Sequence, residues 1–558
     1  MKTYADLLAL AEAAPICEPA TPEEMAKLWP FYAPPPRDTG ISGPAGESGS
    51  PSSDSASSPS SPLPEADDDP HRLARINLER YGYATEVDGR RGTIRFWRGE
   101  FYTWKPDRGC YRIIEDEELR SKISASVKTE FDRISRDKIE RSRDSDSDDP
   151  RPQKVTKTLI TNVVEATKSI TLIPSSTELG SWIDQQSGQR RRRNYIALQN
   201  GILDLDRLLE NNEDDSLSDV LLDPSPEWFS TVRLPYDFDL TAACPKFEAF
   251  LERSLEMDPE RIKVLQEWAG YLLLPDTSYQ KFLALEGEGS NGKSVYFAAM
   301  TAMLGLENCS YCSIEQLSDK FSRTQSLGRL ANICPDVSEK NEKASEGDIK
   351  SFTSGDVMFF DRKHKTGLNC IPSARLMMSW NNRPRWIDKS DGLWRRMILI
   401  PFQVRISDED RIIGMDKHPW WIDSGELPGI LNWAIEGLSR LRNQKRFTET
   451  EVGKKAIEDY KSEANPARSF LLEHLEIAEN NNGSPVRTAL LYRIYRKWAE
   501  ANGYKPLGER MFGKEVKRTF PNSERVRRGP RGDQFGCYSG ISFMEKEICG
   551  IKTEEELF

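Results

Sequence analysis

The chain has 558 residues, which is too long for one hydrophobic core and predicts roughly three to four domains of about 150 residues each. Its formal net charge is -11, so the chain as a whole lacks the basic character that marks many nucleic-acid-binding proteins. No apolar run approaches the ~20 residues that span a bilayer, and the N-terminus lacks a signal-peptide pattern, so we expect a soluble, cytoplasmic protein without a membrane partner.

The N-terminal residues 1–72 are predicted to be disordered. Residues 34–69 consist largely of Ser, Pro, Gly and Asp, with almost no large apolar residue. Such a segment buries too little surface to offset the entropy lost on ordering. A weak helical pattern near the start fits a frayed terminus better than a partner-docking motif.

Residues 73–235 are predicted to form an α+β domain. Positions 94–104 alternate between apolar and polar residues, and 111–114 follow a turn, which indicates a hairpin. Amphipathic helices are predicted over 115–134 and 158–173. The aromatic residues beside arginines in 94–104 fit the core and rim of a small sheet better than a nucleic-acid stacking platform. Four arginines at 190–193 fit an exposed basic loop, with phosphate contact as the alternative.

The nine cysteines are scattered and include one CxxC pair, Cys309 and Cys312. A structural zinc site normally needs a second pair, so two ordinary thiols are the preferred interpretation. An odd number of cysteines in a large chain is typical of a reducing compartment.

A phosphate-binding loop is predicted at 287–294, within a core domain at 236–450. An apolar strand at 282–285 precedes it, a helix at 295–304 follows it, and the spacing fits GxxxxGK[ST]. Backbone N–H groups of such a loop face phosphate oxygens, the lysine reaches the β- and γ-phosphates, and the hydroxyl ligates Mg²⁺. The predicted nucleotide-binding residues are Gly287, Glu288, Gly289, Ser290, Asn291, Gly292, Lys293 and Ser294.

Three further strands are predicted after this loop, at 330–336, 374–382 and 397–402. Strands that alternate with helices predict an α/β sheet with its ligand at the carboxyl ends of the strands. There Asp336 is predicted to hold Mg²⁺ or polarise the attacking water, and Asn381 to sense the γ-phosphate, with Asn382 as its alternative. Arg395 or Arg396 is predicted to reach a neighbouring subunit's nucleotide, one of the two being structural.

A basic segment between two of these strands is predicted to form a hairpin tip that grips a nucleic-acid backbone. Its residues are Arg362, Lys363, His364 and Lys365.

Residues 451–558 are predicted to form a helical and winged-helix DNA-binding domain. Helices at 486–501 and 508–520 precede a basic turn at 525–531 and a strand pair at 535–543, and basic residues greatly outnumber acidic ones here. DNA contact is preferred over a merely soluble face. The candidate residues in the turn are Arg525, Arg527 and Arg528.

These motifs resemble the superfamily 3 helicase part of phage and plasmid primase–helicases, close to the poxvirus-type NTPases. The resemblance rests on NGILD at 200–204, GEGSNGKS at 287–294, LANICPD at 330–336, SEGDIKSFTSGD at 345–356, DRKHK at 361–365, SWNNRP at 379–384 and SDGLWRRMILIPF at 390–402. It implies an AAA+-related P-loop NTPase core, a homo-hexameric ring and ATP- and Mg²⁺-dependent 3′→5′ travel on single-stranded DNA. The expected function is a helicase for phage, provirus or plasmid replication that acts on single-stranded and forked DNA.

Two features depart from that family. Where two adjacent acids are common, this sequence has Pro335 and Asp336, so Asp336 or Glu339 remains open as the base. No primase half is evident, so a separate primase or polymerase is an expected partner. The alternatives are an ATP-switched origin-binding initiator and a primase–helicase with a cryptic primase region.

Overall fold

The computed structural model describes residues 65–544 except 87–88, 143–151, 184–193, 211–216, 276, 339–345, 364, 385, 387–390, 479–484 and 531–533. Residues 1–64 of the predicted disordered segment, the four arginines at 190–193, Glu339 and His364 therefore lie outside the described residues. The first helix begins at Pro70, three residues before the predicted domain start, and the Asp69 side chain caps it by accepting the Arg72 N–H.

A three-stranded antiparallel sheet and three helices form the N-terminal domain. The elements are α1 Pro70–Tyr81, β1 Tyr83–Glu86, β2 Gly89–Gly92, β3 Ile94–Trp97, β4 Glu100–Lys105, β5 Cys110–Ile114, α2 Asp116–Ser142 and α3 Lys157–Thr171. Strands β3, β4 and β5 pair in order, which confirms the predicted hairpin. Both predicted helices are also confirmed, although α2 extends well past residue 134.

The aromatic residues of this sheet form a core. Trp97, Tyr102 and Trp104 are buried, and the Trp97 and Tyr102 rings lie 5.4 and 5.5 Å from the ring of Phe229 in edge-on contacts. Edge-to-face packing at this spacing is typical of aromatic cores. These side chains are therefore not an exposed stacking platform, and the core interpretation is the correct one.

Short strands and helices connect this domain to the next. They are β6 Ser181–Trp182, β7 Tyr195–Ala197, β8 Ile202–Asp204, α4 Leu205–Glu210, α5 Leu217–Val220, β9 Leu221–Leu222 and β10 Trp228–Phe229. The Asn200 amide accepts the Phe238 N–H and donates to its carbonyl, both at 2.9 Å, and the Tyr236 hydroxyl donates to the Met303 carbonyl at 2.8 Å. The predicted boundary at residue 235 therefore crosses a continuous hydrophobic core.

The core domain is a parallel sheet with helices against it. Its elements are α6 Pro245–Ser254, α7 Pro259–Tyr271, β11 Phe282–Glu286, α8 Lys293–Leu304, β12 Cys309–Ser310, α9 Ile314–Ser318, β13 Ala331–Cys334, α10 Glu346–Ser354, β14 Met358–Phe360, β15 Leu368–Cys370, β16 Arg375–Trp380, α11 Asp391–Trp394, β17 Met397–Pro401, α12 His418–Asp423 and α13 Leu427–Gln444. The sheet order is β12-β13-β16-β11-β17, with every pair parallel. The predicted α/β class is confirmed.

This strand order brings the predicted site residues to one edge of the sheet. Strand β16 lies between β11, which leads into the phosphate loop, and β13, which leads to Asp336. Asn381 directly follows β16. Because the strands are parallel, their carboxyl ends meet at the same edge, so Asn381 lies between the loop and the acid.

The C-terminal elements are α14 Glu451–Ala464, α15 Pro466–His474, β18 Leu475–Ile477, β19 Val486–Arg487, α16 Thr488–Ala501, α17 Glu509–Thr519, β20 Glu524–Arg528, β21 Phe535–Ser539 and β22 Ile541–Phe543. Helix α14 packs against the edge strand β17, and Tyr460 joins the hydrophobic cluster of the core domain. The predicted boundary at 450 thus separates α14 from the domain on which it packs.

Two details of the predicted C-terminal hairpin were wrong. Arg525, Arg527 and Arg528 lie in strand β20 and not in a turn. Strands β21 and β22 do not pair with each other, because β21 pairs with β20 and β19 while β22 pairs with β18. The hairpin is therefore β20–β21. Among the described helices, none is both long and apolar enough to cross a bilayer.

Candidate nucleotide-binding site

The phosphate loop has a backbone that requires glycine at two positions. A Cβ on Gly287 would lie 1.8 Å from the Asn291 amide nitrogen and 2.4 Å from the Phe402 carbonyl. Gly292 has φ +97° and caps α8, and a Cβ there would lie 2.9 Å from the Phe250 ring. These contacts explain why the sequence has glycine at both ends of the loop.

The loop lysine is held beside the carboxyl ends of the strands. Lys293 Nζ donates to the Gly287 carbonyl at 2.7 Å and to the side-chain oxygens of Asn291 and Asn381, both at 3.1 Å. Burial lowers the pKa of Lys293, while Asp336 and Glu286 act in the opposite direction. The ammonium group is therefore bound by oxygen acceptors at the position where a phosphate loop presents its lysine to phosphate oxygens.

A clamp between two strand ends positions Asp336. The Val337 N–H donates to the Ser379 carbonyl at 2.9 Å, and the Ser379 hydroxyl donates to the Pro335 carbonyl at 2.5 Å. The Asp336 backbone is thus tied on both sides to the strand that carries Asn381. Its carboxylate is exposed and lines the same cavity as the loop.

That cavity has a volume of about 800 Å³. Its lining combines the loop, Asp336 and Asn381 with the apolar side chains of Phe250, Ile412, Met415 and Trp420 and with charged residues that include Arg253 and Asp410. The Ile406 N–H donates to the Ser290 carbonyl at 2.8 Å, which fixes the segment after β17 against the loop. Mixed polar and apolar lining is typical of small-molecule sites. The sequence analysis did not identify these apolar lining residues, because they are distant in the chain from the loop motif.

Two oxygen-bearing side chains of this cavity are suitable ligands for Mg²⁺. The Ser294 hydroxyl in the first turn of α8 and the Asp336 carboxylate are both exposed in this cavity. Mg²⁺ usually takes one or two protein oxygen ligands and completes its shell with water and substrate phosphates. A cluster of three or more potential His, Cys, Asp or Glu metal ligands does not occur within the described ranges, where Cys309 and Cys312 are buried free thiols.

Arg383 links the loop to helix α14, a role that the sequence did not indicate. Its guanidinium donates to both carboxylate oxygens of Glu286, at 2.5 and 2.9 Å, and to Glu463 at 2.8 Å. It also lies 5.2 Å from the Tyr460 ring centroid. The first and largest cause of its raised pKa is the hydrogen bond to Glu286. Bidentate Arg–carboxylate pairs hold geometry well, so Arg383 joins the start of the loop, the Asn381 segment and α14.

Arg395 and Arg396, one of which was predicted to reach a neighbouring subunit's nucleotide, have different environments. Arg395 is exposed, whereas Arg396 is buried, with only 8% of its surface accessible. The Arg396 guanidinium donates to the Gly392 carbonyl at 2.7 Å and to the Ser354 hydroxyl at 3.1 Å. Burial lowers the pKa of Arg396, and the charge of Arg395 adds to this. Of the pair, only Arg395 is accessible to a neighbouring molecule.

The basic segment lies at the tip of the β14–β15 hairpin, on the same domain as the loop. Lys363 is exposed, and His364 lies outside the described residues. Arg362 donates to the Thr366 carbonyl at 2.9 and 3.1 Å and thereby closes the tip. Arg362 and Lys365 also contact Glu100 of the N-terminal domain. The tip thus presents Lys363 to solvent, while Arg362 is largely enclosed.

Comparisons with known proteins find related sequences. Residues 473–549 match the family described as poxvirus D5 protein-like, and residues 285–396 match a family of unknown function. A putative helicase of Acanthamoeba polyphaga mimivirus is 24% identical over 245 residues, which is 40% of this chain and 25% of that protein. The chain is therefore similar in part to a viral protein described as a putative helicase and, in its C-terminal module, to the poxvirus D5 protein-like family.

The chain spans about a quarter of the length of the mimivirus protein. Two apo structures of the NrS-1 C-terminal region are similar to this chain, at 11% and 10% sequence identity and with TM-scores of 0.45 and 0.44. Each alignment covers 84% of this chain and 98% of the other.

The C-terminal module exposes cations on a helix as well as on the hairpin. Arg525, Arg527 and Arg528 are exposed on β20. Helix α17 adds exposed Arg510 and Lys514, one turn apart. The sequence predicted the basic excess but assigned the DNA contact to the hairpin alone.

Proposed function

We propose that this chain is a DNA helicase that uses ATP and Mg²⁺ to translocate on single-stranded DNA during phage, provirus or plasmid replication. The supporting observation is that one domain carries both the phosphate loop and the basic hairpin. The hairpin lies in the chain between Asp336, which follows β13, and Asn381, which follows β16. If cleavage of the γ-phosphate moves Asp336 or Asn381, the chain between them transmits that movement to the hairpin.

Each residue at the cavity has a separate role in this proposal. Lys293 binds the β- and γ-phosphates, Ser294 and Asp336 hold Mg²⁺, and Asn381 detects the γ-phosphate. The metal, when bound, neutralises charge on the phosphate oxygens. Asp336 is the described candidate for orienting the attacking water, and Arg383 keeps the loop in position. The apolar side chains that line the cavity, among them Phe250 and Trp420, accommodate the base.

We also propose that a neighbouring copy completes the site. Exposed Arg395 would supply positive charge to the phosphates bound by the adjacent subunit, as an arginine finger does. A head-to-tail interface of this kind can close into a ring. The sheet order, with one strand between the loop strand and the Asp336 strand, supports an AAA+-related core, and we propose a homo-hexamer that works with a separate primase or polymerase.

The C-terminal module supports a winged-helix DNA contact. Its elements follow one another as helix, two short strands, two helices and hairpin, and its exposed cations include residues of α17 and β20. Placing a helix in a groove beside a basic hairpin is one way in which such modules bind DNA. This same observation favours a second function, that of an ATP-switched origin-binding initiator.

Footprinting distinguishes the two functions. An initiator protects a defined sequence in a salt-resistant manner, whereas a translocating helicase binds single strands with little sequence preference and strong salt dependence.

ATP hydrolysis by the purified chain is expected to be stimulated roughly tenfold by single-stranded DNA, because a bound strand orders the hairpin that links Asp336 to Asn381. Phosphate release measured with and without oligothymidine tests this, with Lys363→Ala as the variant that should lose the stimulation. The control is Lys168→Ala, at a partly exposed lysine of helix α3 that pairs with Glu165. A hydrolysis rate indifferent to DNA, or equal stimulation of wild type and Lys363→Ala, would contradict the proposal.

A further inference from the structure

The turn between β3 and β4 of the N-terminal domain is held rigidly. Its two central residues, Arg98 and Gly99, have φ of +46° and +85°. The Arg98 guanidinium lies 4.3 Å from the Trp97 ring centroid and donates to the Ser175 carbonyl at 3.0 and 3.1 Å. These contacts hold Arg98 in place, two residues before Glu100.

This turn contacts the basic hairpin of the core domain. Arg362 donates to the Arg98 carbonyl at 3.0 Å, and its guanidinium lies 3.4 Å from one Glu100 carboxylate oxygen. The Lys365 ammonium bonds the other oxygen of the same carboxylate at 2.5 Å. A single acid from the N-terminal domain thus pairs with two cations more than 260 residues away in the chain.

The pairing is partly shielded from water. The side chains of Glu100 and Arg362 are only 14% and 12% accessible, while Lys365 is 47% accessible. Partly enclosed charges interact more strongly than exposed ones because solvent screens them less. Within the described part of the tip, only Lys363 lacks a hydrogen bond or ion pair. Glu100 therefore pairs with two of the three basic residues that the structure describes there, and its one negative charge offsets part of their combined positive charge.

We propose that Glu100 is an autoinhibitory latch that occupies the basic hairpin until a single-stranded nucleic acid displaces it. This inference rests on the proposed function, because it takes the hairpin as the DNA contact. Phosphate groups and the Glu100 carboxylate compete for the same two cations. A strand bound at the tip also repels the displaced carboxylate, so the turn and the hairpin separate when DNA binds.

The variant Glu100→Gln tests the latch, since it removes the charge and keeps the shape of the side chain. Oligothymidine is expected to bind roughly three- to fivefold more tightly, because the partly screened ion pairs of Glu100 with Arg362 and Lys365 are lost from the closed state. The dependence of log affinity on log salt should steepen by about one, because a freed cation releases one more counterion from the strand. Glu227→Gln is the matched control: Glu227 pairs with Arg95 of the same domain, is 19% accessible and does not touch the hairpin.

Hydrogen–deuterium exchange provides a readout that does not require DNA binding. Amides of the β14–β15 hairpin should exchange faster in Glu100→Gln than in wild type or Glu227→Gln. Adding oligothymidine to wild type should weaken the protection of the β3–β4 turn.

Unchanged exchange in Glu100→Gln, or equal DNA affinity for the two variants, would overturn the latch. Weaker DNA binding by Glu100→Gln would also overturn it, because the contact would then support binding. If wild type does not bind oligothymidine while exchange rises only in Glu100→Gln, the contact with the hairpin holds but its proposed role in DNA binding fails. If wild type and Glu100→Gln bind equally and Lys363→Ala binds weakly, the proposed function stands without the latch.

Discussion

Lys293→Ala is expected to lower the rate of ATP hydrolysis by roughly 10²- to 10³-fold, the cost of losing one preorganised charge aimed at the transferred phosphate. The Lys293 ammonium group lies within hydrogen-bond distance of the Gly287 carbonyl and the Asn381 side chain. Removing it leaves the loop without its own positively charged side chain. Steady-state phosphate release with saturating ATP and Mg²⁺ measures the effect. Binding of a fluorescent ATP analogue should weaken in parallel.

Lys454→Ala is the matched control for this variant. Lys454 is an exposed lysine of helix α14 that pairs with Glu449 and Glu451, and its removal should leave hydrolysis within about twofold of wild type. Hydrolysis by Lys293→Ala at the wild-type rate would show that the loop is not the catalytic nucleotide site.

Arg395→Ala is expected to reduce hydrolysis by roughly 10²-fold or more while leaving nucleotide binding nearly unchanged, because the exposed guanidinium acts on the phosphates of the adjacent subunit. Mixing Arg395→Ala with Lys293→Ala should restore activity that neither variant has alone. At random equal mixing, roughly a quarter of the interfaces pair an intact loop with an intact Arg395.

The restored activity is measured after co-assembly of the two variants. Arg496→Ala is the control, at an exposed arginine on helix α16, outside the core domain. Arg496 pairs only with Glu500 among the described residues, and its loss should not affect the rate. A mixture no more active than the sum of its parts would place Arg395 outside a shared site.

Local sequence was sufficient to predict the loop and the strands around it. The spacing from Gly287 to Ser294 and the apolar runs at β11, β13, β16 and β17 identify a phosphate-binding α/β sheet, because both signals lie within a few consecutive residues. The position of Asn381 beside the loop then follows from parallel pairing.

Interactions between distant segments were not predictable in the same way. The pairs Arg383–Glu286 and Lys365–Glu100 join residues 97 and 265 positions apart, and no spacing rule connects them. Adjacent Arg395 and Arg396 have identical local chemistry, and only the packing against Ser354 and Gly392 buries one of them. Strand β20 was taken for a turn because it has one apolar residue, Val526, between arginines.

Strand displacement on forked DNA tests the proposed coupling most directly. With ATP and Mg²⁺, the wild-type chain is expected to separate the strands, whereas Lys293→Ala should not, and Lys363→Ala should hydrolyse ATP with little strand separation. If the wild-type chain hydrolyses ATP but separates no forked substrate of either polarity, the loop and the hairpin do not form a DNA motor.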